Sequence, residues 1–265
     1  MVFNAGKFEL LRFCSGAESF AYSYLAPDQS QIKEKKWLRD LGVLISSDLS
    51  FTEQIEAVAQ SASQIAGWAL RTFRGRGMVL MLTVLKSLIH PRLEYCSELW
   101  SPKDQYSINK LEKIQANFIS RIREASLQGL NYWEKLSQLS LYSLERRRER
   151  SMICLLWKIS QGLVSGYNVN WTHSDRRGRM AVPHSIKMSA PSKVRNAREK
   201  SVSVHAAKLF NLLPLHLRNE NSGDFLLFKN NLDIFLRTVP DQPTMTGLAR
   251  AAKTNSLLDQ IVYCT

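Results

Sequence analysis

Apolar residues recur with helical spacing along most of the segment from residue 51 to residue 162, and this pattern constrains the fold most strongly. Because residues three and four positions apart share one face of a helix, each stripe predicts a helix with one buried face. We expect helices at 51–73, 78–90, 106–122, 132–139 and 144–162. Five helices in close succession, joined by short segments, favour a helical bundle.

Local signals predict where the first two helices begin and end. Ser50 followed three residues later by Glu53 has the spacing of a capping box at the start of the first helix. Gly75 and Gly77 are expected to terminate that helix. Pro91 is expected to stop the second helix, since the residue before a proline is biased away from helical backbone angles.

The first 50 residues have a β pattern. Short apolar or alternating runs at 8–13, 20–25 and 41–45 predict two or three strands, with Gly42 as a candidate bulge. So few strands are not stable alone, so they need a sheet to join or a helix to cover them. The predicted fold is therefore mainly α: a helical bundle with a small antiparallel β element at the N-terminus.

The C-terminal third divides by composition. Residues 165–200 are rich in Ser, Arg, Lys and His, which predicts a basic linker. Helical patterns at 202–213 and 224–236 predict a small helical region over 201–240, and an extended tail follows over 241–265. With the strands at 1–50 and the bundle at 51–164, these segments complete the expected organisation.

The chain of 265 residues has a formal net charge of +13 and a pI of about 9.7. This excess predicts a polyanionic partner, more often nucleic acid than an anionic membrane surface. A basic protein without such a partner is the alternative. We also expect a soluble intracellular protein of the nucleus or cytoplasm, because we find no signal peptide, no bilayer-length apolar run and no cysteine pairs with metal-site spacing.

The sequence does not favour an enzyme that acts unaided. No two acidic residues are adjacent, so no carboxylate pair is evident for two Mg²⁺ ions. Neither a phosphate-binding GxxxxGK[ST] loop nor a GxSxG nucleophile motif is present. The five histidines are isolated from one another.

Basic residues are concentrated in the segment 145–200. It contains 13 Lys and Arg against 4 Asp and Glu, a surplus of 9 out of the net +13. Guanidinium groups pair well with phosphates, so Arg146, Arg147, Arg148 and Arg150 are candidate nucleic-acid contacts. The alternative is that this run is the solvated face of a helix, with Glu145 and Glu149 pairing locally.

Further candidate contacts lie on the earlier helices. Arg71, Arg74 and Arg76 lie at and just beyond the C-terminal end of the first helix, and Lys110 and Lys113 flank Leu111 on the third. A solvated helix face is the ordinary interpretation of the two lysines. The aromatic residues of the helices, Trp68 included, can stack on bases but at helical spacing are more often core.

Several motifs, in order, resemble the C-terminal part of a non-LTR retrotransposon reverse transcriptase of the jockey-like or LINE-like kind. Each is weak alone, but the ordered set is specific and covers nearly the whole chain. The matching stretches are Phe3-Asn4-Ala5-Gly6-Lys7, Asp40-Leu41-Gly42-Val43 followed by Ser47-Asp48-Leu49-Ser50-Phe51, Leu88-Ile89-His90-Pro91-Arg92-Leu93-Glu94-Tyr95 with Leu99-Trp100, Ile108-Asn109-Lys110-Leu111-Glu112-Lys113-Ile114-Gln115, Leu144-Glu145-Arg146-Arg147-Arg148, and Phe210-Asn211-Leu212-Leu213-Pro214 with Phe228-Lys229, where Phe210 replaces the usual Trp.

The resemblance implies a palm remnant at 1–50 and a thumb-like bundle at 51–164 that binds RNA or an RNA–DNA hybrid. The family reaction is RNA-directed DNA synthesis, and its Mg²⁺-binding aspartates belong to a part of the palm upstream of the matched motifs. We therefore expect no cofactor and no polymerase activity from this chain alone. Only Lys7 matches a family residue near the chemistry, an auxiliary lysine thought to assist nucleotide incorporation.

Three alternatives remain open at this level. The chain is compatible with a retroelement fragment without a selected function, with a helical module that binds protein partners, and with part of an active polymerase that is cut short here. Steep salt dependence of binding would favour phosphate contacts over an apolar protein interface. The sequence does not predict an oligomeric state.

Overall fold

The computed structural model describes residues 7–13, 22–165, 171–172, 185–186, 202–218, 223–243 and 255–261. Most of these residues are helical, and a small antiparallel hairpin lies near the N-terminus. The predicted fold class is thus confirmed. Parts of two predicted segments lie outside the described residues. They are residues 20–21 of the predicted strand at 20–25, and residues 166–170, 173–184 and 187–200 of the predicted linker at 165–200.

The predicted helices are all found, with ends shifted by a few residues, and three short helices were not predicted. In chain order the elements are α1 (Thr52–Thr72), α2 (Met78–Val84), a π-helical turn (Leu85–Ile89), α3 (His90–Glu94), α4 (Ser97–Trp100), α5 (Gln105–Ile119), a 3₁₀ turn (Ala125–Leu127), α6 (Tyr132–Gln138), α7 (Leu144–Ser160), α8 (Val202–Asn211), α9 (Leu215–Arg218), α10 (Phe225–Thr238) and α11 (Leu257–Gln260).

Six short strands form three two-stranded ladders in the described part of the chain. The strands are β1 (Leu10–Leu11), parallel to β2 (Glu34–Lys35); β3 (Trp37–Asp40), antiparallel to β4 (Val43–Ser46); and β5 (Trp171–Thr172), antiparallel to β6 (Ser185–Ile186).

The β3–β4 hairpin turns at Leu41 and Gly42. The two residues have φ angles of 45° and 89°, as in the two-residue turns that favour Asn-Gly or Asp-Gly. Gly42 is therefore a turn residue, and its prediction as a bulge is wrong. The side chain of Gln54 on α1 accepts a buried hydrogen bond of 2.9 Å from the Leu44 N–H, which attaches the hairpin to the helix.

The start of α1 differs from its prediction. Phe51 is the N-cap residue and no side chain caps the helix. The predicted capping box does not form, because Ser50 instead pairs with the hairpin: its carbonyl accepts a hydrogen bond from the Ser46 hydroxyl, and its amide donates to the Asp48 carboxylate. The helix is held by packing of its small apolar face instead.

The helix after α1 does not stop at Pro91. It runs from α2 through the π-helical turn into α3, and Pro91 stands in the first turn of α3. Proline has no N–H to donate, and in the π-helical turn just before it the His90 N–H bonds to the Leu85 carbonyl. The prediction of a stop at residue 90 is wrong because a π turn changes the hydrogen-bond register just before the proline.

Two buried apolar clusters share one helix. The first cluster draws on α1 to α6 and the hairpin, with Trp100, Leu111 and Phe118 fully buried. The second draws on α8 to α11, with Phe210 and Phe228 at its centre. Helix α7 contributes Leu144 to the first cluster and the 152–157 face to the second, so it joins the bundle to the C-terminal helices.

Candidate nucleic-acid interface

A groove of about 790 Å³ runs between the β3–β4 hairpin, α1 and the helix that passes through Pro91. The hairpin contributes Arg39, α1 contributes a row of polar side chains, and α3 contributes Arg92. Among the described residues that line the groove, none is acidic. The groove therefore presents positive charge and hydrogen-bonding groups to a ligand without a competing carboxylate.

The polar row on α1 follows from helical spacing. Gln60 and Gln64 are four residues apart and Ser61 lies beside them, so all three project into the groove from one side of the helix. Amide and hydroxyl groups both donate and accept hydrogen bonds. They are suited to the sugar and phosphate oxygens of a nucleic-acid strand, which dominate protein contacts with nucleic acids.

The two arginines of the groove are held differently. Arg92 donates a hydrogen bond of 3.0 Å from Nη1 to the Ser61 hydroxyl, which fixes its guanidinium against α1 and leaves its other donors for a ligand. Arg39 is exposed and forms no ion pair with any described residue. Both charges are thus free to bind phosphate.

Tyr95 fixes the wall of the groove where the hairpin meets α3. Its hydroxyl donates a hydrogen bond of 2.8 Å to the Leu41 carbonyl at the turn. Its own carbonyl accepts a bond of 2.8 Å from the buried Trp100 indole. The turn, Tyr95 and the core are therefore connected, so the groove is formed before any ligand binds.

One exposed aromatic residue adjoins the groove. Trp68 lies one helical turn beyond Gln64 on α1 and is 45% exposed. The expectation that the helix aromatics belong to the core holds for Trp100 and Trp157 but is wrong for Trp68. Its exposure results from the hydrophilic side of α1, where its neighbours Gln64 and Arg71 also lie.

Of the contacts predicted at the end of the first helix, Arg71 lies in the last turn of α1 and Arg74 and Arg76 follow it, and none of the three lines the groove. The guanidinium of Arg71 folds back along α1, with Nη1 3.3 Å from the position that a Cβ on Gly67 would occupy. Arg74 is exposed and Arg76 is partly buried. Lys7 is also exposed, and residues 1–6 before it lie outside the described residues.

The two lysines of α5 that were predicted as nucleic-acid contacts differ in whether their charge is paired. Lys110 forms an ion pair with Glu56 on α1 and its ammonium lies 6.0 Å from the Tyr106 ring centre. The pKa of Lys110 is raised by its hydrogen bond to Glu56. Lys113 is exposed. Only Lys113 of this pair presents an uncompensated charge in the described part of the protein.

In the arginine run of α7, Arg146 and Arg148 are buried, and Arg147 and Arg150 are partly exposed but paired. Arg146 and Arg148 are 0% and 1% exposed, and Arg146 donates a hydrogen bond of 2.9 Å to the Pro240 carbonyl. Arg147 pairs bidentately with Glu94 of α3, and Arg150 pairs bidentately with Asp233 of α10. These guanidinium groups are taken up by internal contacts, so in this structure they do not face an external phosphate.

The alternative interpretation of the run as a solvated helix face is also wrong, because Glu145 and Glu149 are buried as well. Desolvation raises the pKa of each carboxyl to about 7. Desolvation also lowers the pKa of the Arg148 guanidinium, which the charges of Glu112, Glu145 and Glu149 partly offset. The run builds the junction between the two apolar clusters.

A chain of buried hydrogen bonds supports α3 and α7 behind the groove. Gln115 accepts from His90 Nε2 at 2.7 Å and donates from Nε2 to the Tyr132 hydroxyl at 2.9 Å. Tyr132 donates to Glu112, whose carboxylate accepts from the Leu144 N–H at the start of α7. Desolvation lowers the pKa of His90 to about 4, so the imidazole is neutral at neutral pH.

Sequence reasoning missed the groove itself. Arg39, Gln60, Ser61, Gln64 and Arg92 were not among the candidate contacts. The repeat of polar and aromatic residues at 60, 64 and 68 was the available signal, since it places them on one helix face. Arg92 lies within a motif stretch that carried the family resemblance, but nothing local distinguishes it from other arginines.

The described residues contain no group of three or more His, Cys, Asp or Glu side chains able to hold a metal ion. None of the described helices combines the length and apolar character required to cross a bilayer.

Comparison with known proteins adds no relative. No protein-family model, no curated protein and no solved structure matches the chain.

Proposed function

We propose that the protein binds RNA or an RNA–DNA duplex through the groove between the hairpin, α1 and α3. The observation that supports this most directly is the groove's lining, which includes Arg39 and Arg92 but no acidic side chain. Both arginine charges attract a polyanion, and no carboxylate in the lining repels it. The net charge of +13 adds a long-range attraction for the same class of ligand.

The polar lining supports sequence-tolerant binding. Gln60, Ser61 and Gln64 lie at the surface of one helix, where they can reach sugar and phosphate oxygens that every nucleotide carries. The groove is open, and its hairpin wall is fixed by the bond from Tyr95 to Leu41. A wall formed in advance reduces the ordering cost of binding.

We further propose that this module corresponds to the thumb of a reverse-transcriptase-like protein and does not polymerise nucleotides by itself. The ordered motifs support the correspondence. No catalytic step is assigned to Lys7.

The test is direct binding of the purified chain to fluorescent RNA–DNA hybrid, single-stranded RNA and duplex DNA at about 50 and about 200 mM salt. A protein that makes six or more phosphate contacts is expected to lose about 10³-fold or more in affinity across this range, and the two groove arginines alone account for about tenfold. Absence of binding at low salt by a folded sample would overturn the proposal. That absence would favour a helical module that binds protein partners instead.

A further inference from the structure

A shallow recess lies at the Trp68 end of the groove. It has a volume of about 240 Å³ and is lined by Ser61, Gln64, Ile65, Trp68 and Arg92. Four of these five residues also line the groove, so the recess continues it. Its volume lies below the range of roughly 300–1,000 Å³ for pockets that enclose whole small molecules.

The aromatic wall of the recess is held in place. Trp68 packs edge to face against Phe73, with ring centroids 6.1 Å apart and planes at 82°. Phe73 itself packs on the first apolar cluster, so the indole is supported by the core through Phe73 while 45% of the residue stays exposed. A supported but exposed indole offers a stacking surface to a planar ring.

The polar groups of the recess match the rest of a nucleotide. Arg92 is anchored to Ser61 by the bond of 3.0 Å, and it lines both the groove and the recess. A phosphate bound there leaves its base within the space beside the indole. The Gln64 amide can donate to or accept from any base edge, so the site is not restricted to one base.

We infer that Trp68 and Arg92 form a subsite for one unpaired nucleotide at the end of the groove, so that the protein prefers a duplex with a protruding nucleotide to a blunt duplex. Trp68 stacks on the base and Arg92 binds the adjoining phosphate. A fully paired base remains stacked within its own helix and does not reach the indole. This inference rests on the proposed binding of nucleic acid by the groove and names the feature of the ligand that the groove selects.

The test compares RNA–DNA hybrids with blunt ends, with one protruding nucleotide at the 5′ or the 3′ end, and with an abasic protruding unit. For one of the two ends, 5′ or 3′, the wild-type protein should bind the hybrid with the protruding nucleotide roughly 5- to 150-fold more tightly than the blunt or abasic hybrid. This is the range for loss of one base–aromatic stack. Trp68→Ala should remove this preference and keep the blunt-end affinity. Trp68→Phe, the matched control, should retain most of it.

Each outcome bears on the inference. Equal wild-type affinity for blunt and protruding ends would overturn it and leave the proposed function standing. The inference would also be overturned if Trp68→Ala kept the preference, or if this variant lost as much affinity for the blunt hybrid as for the protruding one. No binding of any hybrid would overturn both proposals. Circular dichroism of the Trp68→Ala variant checks that its fold is intact.

Discussion

Arg148 lies in the core among Glu112, Glu145 and Glu149, and its three guanidinium nitrogens have no hydrogen-bond partner among the described residues. Arg148 contributes to stability through its positive charge, which offsets the negative charge of the buried carboxylates. Removing one member of a buried charge group leaves the others uncompensated. We expect Arg148→Ala to lower the free energy of unfolding by roughly 3–5 kcal/mol, measured by urea denaturation.

Arg150 provides the matched control on the same helix. Its bidentate pair with Asp233 is partly open to solvent, with side-chain exposures of 21% and 27%. Solvent and salt weaken such pairs, so Arg150→Ala should cost about 1 kcal/mol or less. Equal losses for the two variants would contradict the assignment of Arg148 to a charged core. The sequence alone does not show which of these two arginines is buried, because burial depends on which helices cover α7.

At the scale of elements, the hairpin turn carries a residue that its geometry disfavours. Leu41 has a φ of 45° and is 85% exposed, whereas Asn adopts this conformation at lower cost. We expect Leu41→Asn to stabilise the protein by about 1 kcal/mol, because Asn-Gly is the favoured pair for this turn. The measurement is again urea denaturation.

Gly42→Ala is the opposite test of the same turn. Its φ of 89° is strained for any residue with a Cβ, and the new atom would lie 3.5 Å from Tyr95 Cε1. This variant should be destabilised by about 1–2 kcal/mol. If both variants left stability unchanged, the turn would not have the left-handed geometry described here.

Elements were predictable where periodicity alone decides them. The long stripes of α1, α5 and α7 predicted their helices because a buried face repeats every three to four residues. Pro91 was misjudged because a π turn, set by packing, precedes it. The groove was missed because glutamines and serines on a helix carry no local sign that a hairpin packs opposite them.

At the scale of the whole molecule, Glu149 fastens the C-terminal segment to α7. Its carboxylate accepts hydrogen bonds from the Ser256 hydroxyl and, at 2.9 Å, from the Leu257 N–H. Asn255 donates a bond of 2.9 Å to Ser143 at the start of the same helix. The predicted extended tail therefore includes, at 255–261, a segment that packs on the second apolar cluster.

This attachment should depend on pH. Desolvation raises the pKa of Glu149 from 4.5 to about 7, so the folded protein binds a proton that the unfolded chain has released between these values. Stability from this group is full below pH 4.5 and is lost as pH rises towards 7. Glu149→Gln, which stays neutral, should gain stability relative to wild type from pH 5 to pH 8.

The comparison with Glu149→Gln is needed because other groups titrate in the opposite sense. His90, whose pKa falls from 6.5 to about 4, contributes stability above pH 6.5 that is lost as pH falls towards 4. The difference between the two proteins cancels this contribution. A difference that stays constant from pH 5 to pH 8, in urea denaturation series, would show that Glu149 is not buried as described.

The most direct test of nucleic-acid binding by the groove is the salt dependence of binding to an RNA–DNA hybrid for three proteins. Each phosphate contact contributes about 0.9 to the slope of log K against log salt on a duplex. The Arg39→Ala/Arg92→Ala double variant should therefore show a slope shallower than wild type by about two. Arg237→Ala, which removes an exposed arginine of α10 outside the groove, should match wild type. A slope unchanged in the double variant, or reduced equally in the control, would contradict binding through this groove.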